Sequence, residues 1–130
     1  MIVLDTHVWF WWLNAPDRLA PAAREAIEAA DEIGVPSICS WELVLLAQRG
    51  RLRFDHGLDG WLRSALGRER IVSLALEPEI AVAAARLDPD RFPGDPADRF
   101  IYATAVHHGA RLITADAAIA AFDPIRAVWE

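Results

Sequence analysis

Four carboxylates of this 130-residue chain occupy positions where they can do chemistry: Asp5, Glu42, Asp98 and Asp116. Asp5 ends the apolar run "IVL" and Asp116 follows "RLITA", so both stand at the carboxyl ends of predicted strands. Glu42 is the second residue after Ser40, read as the N-cap of the helix "SWELVLLAQRG". Asp98 is the third after Asp95, in the helix opened by "DPADRFIYATA". Helical spacing aligns Asp98 with Ile101, Tyr102 and Ala105, and Glu42 with Leu45 and Leu46. Both side chains therefore follow the faces expected to pack inward. A carboxylate in the first turn gains ~0.3–1 kcal/mol from the helix dipole. Burying it unpaired costs more than that, and convergence with two further acids adds like-charge repulsion unless a cation sits between them. An all-oxygen donor set suits a hard divalent ion, Mg²⁺ or Mn²⁺.

Each acid also has a purely structural explanation. Asp5 and Asp116 can cap the short helices that follow them, and Asp95-Pro96-Ala97-Asp98 resembles a capping box. Singly, capping is the better account of each residue. The conjunction of all four at one sheet edge favours the metal.

The elements that must position them alternate. The predicted strands are 2–4, "IGVPSIC", "RIVSLAL", "ARLITA" and "IRAVW". The predicted helices are "THVWFWWLN", "PAAREAIEAADE", 40–49 with Gly50 just beyond, 57–67, "PEIAVAAARL" and one from Pro96 to Gly109; "DPDRFPGD" is a loop. Such alternation predicts a single α/β domain over residues 1–130, an α/β/α sandwich with a mainly parallel sheet. Ligands of such folds bind beyond the carboxyl ends of the strands, where the four acids fall.

Composition narrows the function. Nothing resembles a membrane span. The N-terminus lacks a basic region, which argues against a secretory signal. Cys39 is the only cysteine, so no internal disulfide forms and a reducing cytoplasm is the expected compartment. All 13 basic residues are Arg, which excludes P-loop and Schiff-base chemistry. The same absence of Lys argues against a haloacid-dehalogenase-type phosphatase, which also needs an Asp where His7 stands, and against a response-regulator receiver. The net charge of −6 offers little cationic surface to nucleic acid, but Arg49, Arg51 and Arg53 surround Gly50 and are candidates for phosphate contact. They are equally explained as cations at a helix C-terminus. Arg99 beside Asp98 is a candidate for pairing with an acid or touching substrate. Trp9, Trp11 and Trp12 cannot all be buried on one helical face, so aromatic surface is expected outside the core, available to a second copy or another partner.

"IVLDTHVWFWW", "SICSWELVLLAQRG" and "DPADRFIYATAVHHGARLITAD" resemble the successive blocks of PIN-domain ribonucleases of the VapC toxin type, over nearly the whole chain. The resemblance implies an α/β/α sandwich and a Mg²⁺ or Mn²⁺ site. The activity it implies is endonucleolytic RNA cleavage by an ion-activated water, leaving a 5′-phosphate and a 3′-hydroxyl. The family's acidic quartet falls on Asp5, Glu42, Asp98 and Asp116, with Asp5 and Asp98 as primary ligands. Thr114 matches a hydroxyl residue two before the last acid, and Thr6 and Thr114 join Arg49, Arg51 and Arg99 as candidates for substrate contact. A cognate antitoxin and a homodimer are the implied partners. Two alternatives stay open on the residues alone: a PIN-like module that binds without cutting, and a DNA-directed nuclease.

Overall fold

A computed structural model describes residues 1–92 and 94–130; Pro93, inside the predicted loop "DPDRFPGD", lies outside the described residues. Among the described residues, five strands form one sheet: β1 (Ile2–Leu4), β2 (Ile33–Pro36), β3 (Ile71–Leu74), β4 (Arg111–Ile113) and β5 (Ala127–Val128). Their spatial order is β3-β2-β1-β4-β5, and every pairing is parallel. Every residue of β1 and β2 is buried. Since consecutive strand residues face opposite sides, helices must cover both faces, and the α/β/α sandwich expected from the alternation follows.

The helices are α1 (Thr6–Asn14), α2 (Pro21–Ala29), α3 (Ser37–Gln48), α4 (Leu58–Leu66), α5 (Pro78–Ala85), α6 (Pro96–His107) and α7 (Ala117–Phe122), with a 3-10 turn at Pro16–Arg18. Among the described residues, no helix is long and apolar enough to cross a membrane. Beyond β1 the chain first winds outward through β2 and β3, then returns to the other side of β1 for β4 and β5. That reversal opens a crevice between β1 and β4 at the carboxyl edge.

One boundary departs from expectation. Residues 37–39, predicted as the end of a strand, are the first turn of α3, and Pro36 rather than Ser40 precedes that helix. Buried Cys39, Leu43 and Leu46 explain why: their spacing is already helical from Cys39 onward, and the Cys39 thiol donates to the Leu4 carbonyl at 3.7 Å. Glu42 is consequently the sixth helical residue and lies outside the first turn, where the dipole would have accounted for it. The tryptophans divide as their spacing requires. Trp9 is fully buried, whereas Trp11 and Trp12 are half-buried beneath the guanidinium groups of Arg18 and Arg68.

Arg99 corrects another expectation. Among the described residues its guanidinium makes no salt bridge with Asp98 and is engaged by main-chain carbonyls. Nη1 donates to the carbonyls of Ala84 (3.3 Å) and Leu87 (3.0 Å), and Nη2 to that of Phe92 (3.1 Å). These carbonyls lie at the end of α5 and in the connection beyond it, so Arg99 fastens that connection to α6 near Asp98. Hydrogen bonds to a charged group contribute about 1.5–3 kcal/mol. Arg99→Ala is therefore expected to destabilise the fold by about 2 kcal/mol in denaturant melts. Arg99→Lys should recover only part of this, because an ammonium lacks the planar fork.

Candidate active site at the carboxyl edge of the sheet

The register of the two central strands builds the site. Leu4 pairs with Ile113, and the Asp5 amide donates to the Ile113 carbonyl at 3.0 Å. The next pair along this register is Asp5 with Thr114, and the Thr114 hydroxyl donates to Asp5 Oδ2 at 2.7 Å. Asp5 Oδ1 accepts from the Thr6 amide at 2.8 Å, so Asp5 is also the N-cap of α1. The Thr6 hydroxyl reaches across to α3 and donates to Glu42 Oε1 at 2.5 Å. Two threonines thus hold two carboxylates, one at the start of α1 and one on α3.

Asp116 caps α7, its Oδ1 accepting from the amides of Ala118 and Ile119. Its own amide receives support from the Thr114 hydroxyl at 3.1 Å. Asp98 lies in the first turn of α6, and Asp95 caps that helix by accepting from the Asp98 amide at 3.1 Å. Gly94 packs against Asp98 so closely that a Cβ there would come within 2.7 Å of Asp98 Cβ and 3.1 Å of its Oδ2. Residue 94 must be small for the carboxylate to keep its place. Tyr102, one turn further along α6, donates to Asp123 Oδ2 at 2.7 Å and ties that helix to the end of α7.

These side chains share one electrostatic field. Burial, followed by the negative charges of Asp95, Asp5, Asp116 and Glu42, pushes Asp98 up to about 7 from an ordinary value of 3.8. Burial raises Asp5, a tendency opposed by the bonds from Thr114 and Thr6 and reinforced by Asp116. Burial likewise raises Glu42, with Asp5 and Asp95 adding to it against the Thr6 bond. Among the described residues, the ion pairs are His107–Glu77 and Arg126–Asp123, and neither involves the four acids. Among the described residues, no three or more His, Cys, Asp or Glu side chains stand close enough together to hold a metal ion as they are placed. What the fold provides is oxygen donors of one sign within each other's field, with no salt bridge to any of the four among the described residues and with His7 favouring the charged forms of Asp5 and Glu42. That donor chemistry fits a hard divalent cation.

Several sequence expectations change here. Thr6 and Thr114, candidates for substrate contact, are 0% and 1% exposed. A buried hydroxyl cannot meet a substrate, and both are occupied in orienting Glu42, Asp5 and the Asp116 amide. Arg49 and Arg51 line a cavity of about 360 Å³ together with Glu42, His7, Trp41 and Asp95. Arg53 faces elsewhere, into a cavity of about 480 Å³ with Phe54, His56 and Trp61. His7, to which the sequence assigned no part, is exposed and borders the Arg-lined cavity on one side. On its other side is a smaller one with Asp5, Trp11 and Asp116. Gly94 was equally unassigned, and its only sequence signal is its place just before the Asp95 cap.

Comparison with known proteins agrees with this architecture. The PIN domain family matches residues 2–123. Ribonuclease VapC22 of Mycobacterium tuberculosis is 44% identical over 115 residues, 88% of this chain and 86% of that protein. Among solved structures, VapBC2 from Rickettsia felis bound to a promoter DNA fragment superposes with a TM-score of 0.72 at 16% identity, covering 100% of both chains. A toxin–antitoxin complex from Klebsiella pneumoniae gives 0.71 at 20% identity, covering 98% of this chain and 96% of that one. The two structures establish the likeness of fold, and the family match and the mycobacterial relative establish descent. With a parallel sheet ordered β3-β2-β1-β4-β5 and acids gathered at its carboxyl edge, this chain belongs to the PIN-domain family.

Proposed function

We propose that this protein is a metal-dependent endoribonuclease, the toxin of a toxin–antitoxin pair, acting on RNA in the cytoplasm. The observation that carries the reading is the uncompensated acidic cluster, with Asp98 displaced to about 7 by burial and by its acidic neighbours. Kinship to a named ribonuclease at 44% identity supports RNA as the substrate. The relatives solved as toxin–antitoxin complexes support a protein antitoxin as partner. A homodimer is part of the same proposal, with the half-buried Trp11 and Trp12 as available surface.

Asp5, Glu42, Asp98 and Asp116 would hold Mg²⁺ or Mn²⁺, which when bound supplies Lewis acidity to a phosphodiester and activates water for its hydrolysis. The chain's own contribution is orientation. Thr114 and the Thr6 amide fix both oxygens of Asp5, each of which keeps further lone-pair capacity. The Thr6 hydroxyl fixes one oxygen of Glu42, and the Gly94 contact sets where Asp98 points. Arg49 and Arg51 bring positive charge to the rim of an otherwise acidic site, where a phosphate chain needs it.

Activity and stability test this reading separately. Asp5→Asn or Asp98→Asn is expected to lower Mn²⁺-dependent cleavage of total RNA by more than about 100-fold, beyond the effect of losing a merely supporting residue. A DNA oligonucleotide of the same sequence should remain uncut, and undiminished cutting by either variant would refute the assignment.

The second test is thermodynamic. Asp98 has a folded value near 7, above its unfolded 3.8. Folded protein therefore binds more protons between those values, and without divalent ions this carboxyl removes stability as pH rises from about 4 to 7. Asp98→Asn abolishes that loss. In EDTA its melting temperature should match wild type near pH 4 and exceed it increasingly up to about pH 7.5. Mn²⁺ at a hundred times its Kd should stabilise wild type by about 2.7 kcal/mol and the variant by less. Melting curves of the two proteins that stay parallel across pH and ignore the ion would contradict the site.

A further inference from the structure

Trp41 is a large apolar side chain that neither the core nor the acidic site explains. It exposes 54% of its surface, makes no ring contact with another aromatic among the described residues, and directly precedes Glu42 on α3. A single exposed apolar residue needs no explanation; this one has a specific setting. Trp41, Leu45 and Arg49 recur every four residues along one face of α3. With Glu42 they form one wall of the 360 Å³ cavity. His7 from α1 and Asp95–Pro96 at the start of α6 stand opposite, and Arg51 lies beyond the end of α3. The groove therefore runs from the acidic cluster at Glu42 to two guanidinium groups, and Trp41 lies along it. From Glu42 to Arg49 the helix rises about 10 Å.

We infer that this groove binds an unpaired segment of RNA adjoining the cleaved bond, with one base stacked on Trp41 and its phosphates directed to Arg49 and Arg51. The inference rests on the ribonuclease reading and deepens it by assigning Trp41 as a residue that positions the strand beside the acids. Charge complementarity points to a polyanion, because a chain of net charge −6 places two cations beside its most acidic region. The indole adds what a phosphate alone does not need, a flat apolar face. Bases within a duplex already stack on their neighbours, whereas splayed bases stack on aromatic side chains, with a loss of about ten-fold or more when the ring is removed. Continuity with Glu42 makes the same strand reach the acids.

The test compares wild type, Trp41→Ala and Trp41→Phe on three probes made from one cut site mapped on total RNA. These are the short unstructured RNA, the same RNA annealed to its complement, and the same RNA with abasic positions flanking the cut. With Mn²⁺, Trp41→Ala is expected to raise KM for the single strand about ten-fold with kcat within about two-fold. Trp41→Phe should retain most of the affinity, and abasic RNA should no longer distinguish the variants. Because the ring is exposed, melting temperatures should be unchanged. Fluorescence anisotropy of the labelled probes in EDTA makes the same comparison without cleavage. An unchanged KM and affinity for Trp41→Ala, an equal loss on duplex, or an undiminished loss on abasic RNA would overturn the inference. So would unchanged RNA binding accompanied by weakened binding of the cognate antitoxin, which would assign the surface to a protein. Wild type that cuts normally while Trp41→Ala is indifferent sinks only this inference; wild type that cuts no RNA with Mn²⁺ sinks the proposed function.

Discussion

Like charges brought to one place must be held there against their own repulsion, and the structure around this sheet edge is organised by that requirement. A carboxylate free to rotate would turn toward water and away from its neighbours. Here Asp5 is fixed through both oxygens, by the Thr6 amide and the Thr114 hydroxyl, and Glu42 through one, by the Thr6 hydroxyl; both threonines are buried. Asp116 is fixed as a helix cap. Asp98 is the exception, since no hydrogen bond to its carboxylate is seen among the described residues. It sits against Gly94, and burial, followed by the field of the others, raises its affinity for a proton. The cluster thus has three oriented members and one that is sterically confined and electrostatically frustrated.

Capping and catalysis are not competing explanations in such an arrangement. Asp5 and Asp116 are N-caps, and the bonds that make them caps also aim their remaining lone pairs. A cap satisfies amides at a helix start, and in a parallel α/β fold those starts gather at the carboxyl edge. One residue can therefore serve the helix and face the crevice together. The capping energy offsets part of the cost of holding the acid near its neighbours, while Asp98, whose amide is the one capped, keeps its carboxylate uncommitted.

How much of this was legible in the sequence depended on whether each signal was local. Asp5 and Asp116 were readable because an apolar run followed by an acid marks a strand end. The parallel order of elements then put both at one edge. Glu42 was placed on the right helix but in the wrong turn. Ser40 carries the chemistry of a cap, and only burial of Cys39 shows that the helix begins earlier. Arg99 was misread because its partners are main-chain carbonyls 7 to 15 residues away, which no side-chain pattern announces. Thr6 and Thr114 were read as substrate contacts because the direction of a hydroxyl follows from strand register and helix packing. Gly94 and Trp41 were silent for a related reason, since a close approach and an exposed ring are properties of packing.

The central claim is that a divalent cation completes the acidic cluster by taking the place of a proton on Asp98. Calorimetric titration of the protein with Mn²⁺, in buffers of different ionisation enthalpy, counts the protons released on binding. With Asp98 near 7, the account predicts release of about half a proton at pH 7, rising at lower pH and vanishing well above it, and absent from Asp98→Asn. Ion binding without proton release at any pH, or no binding at all, would contradict it.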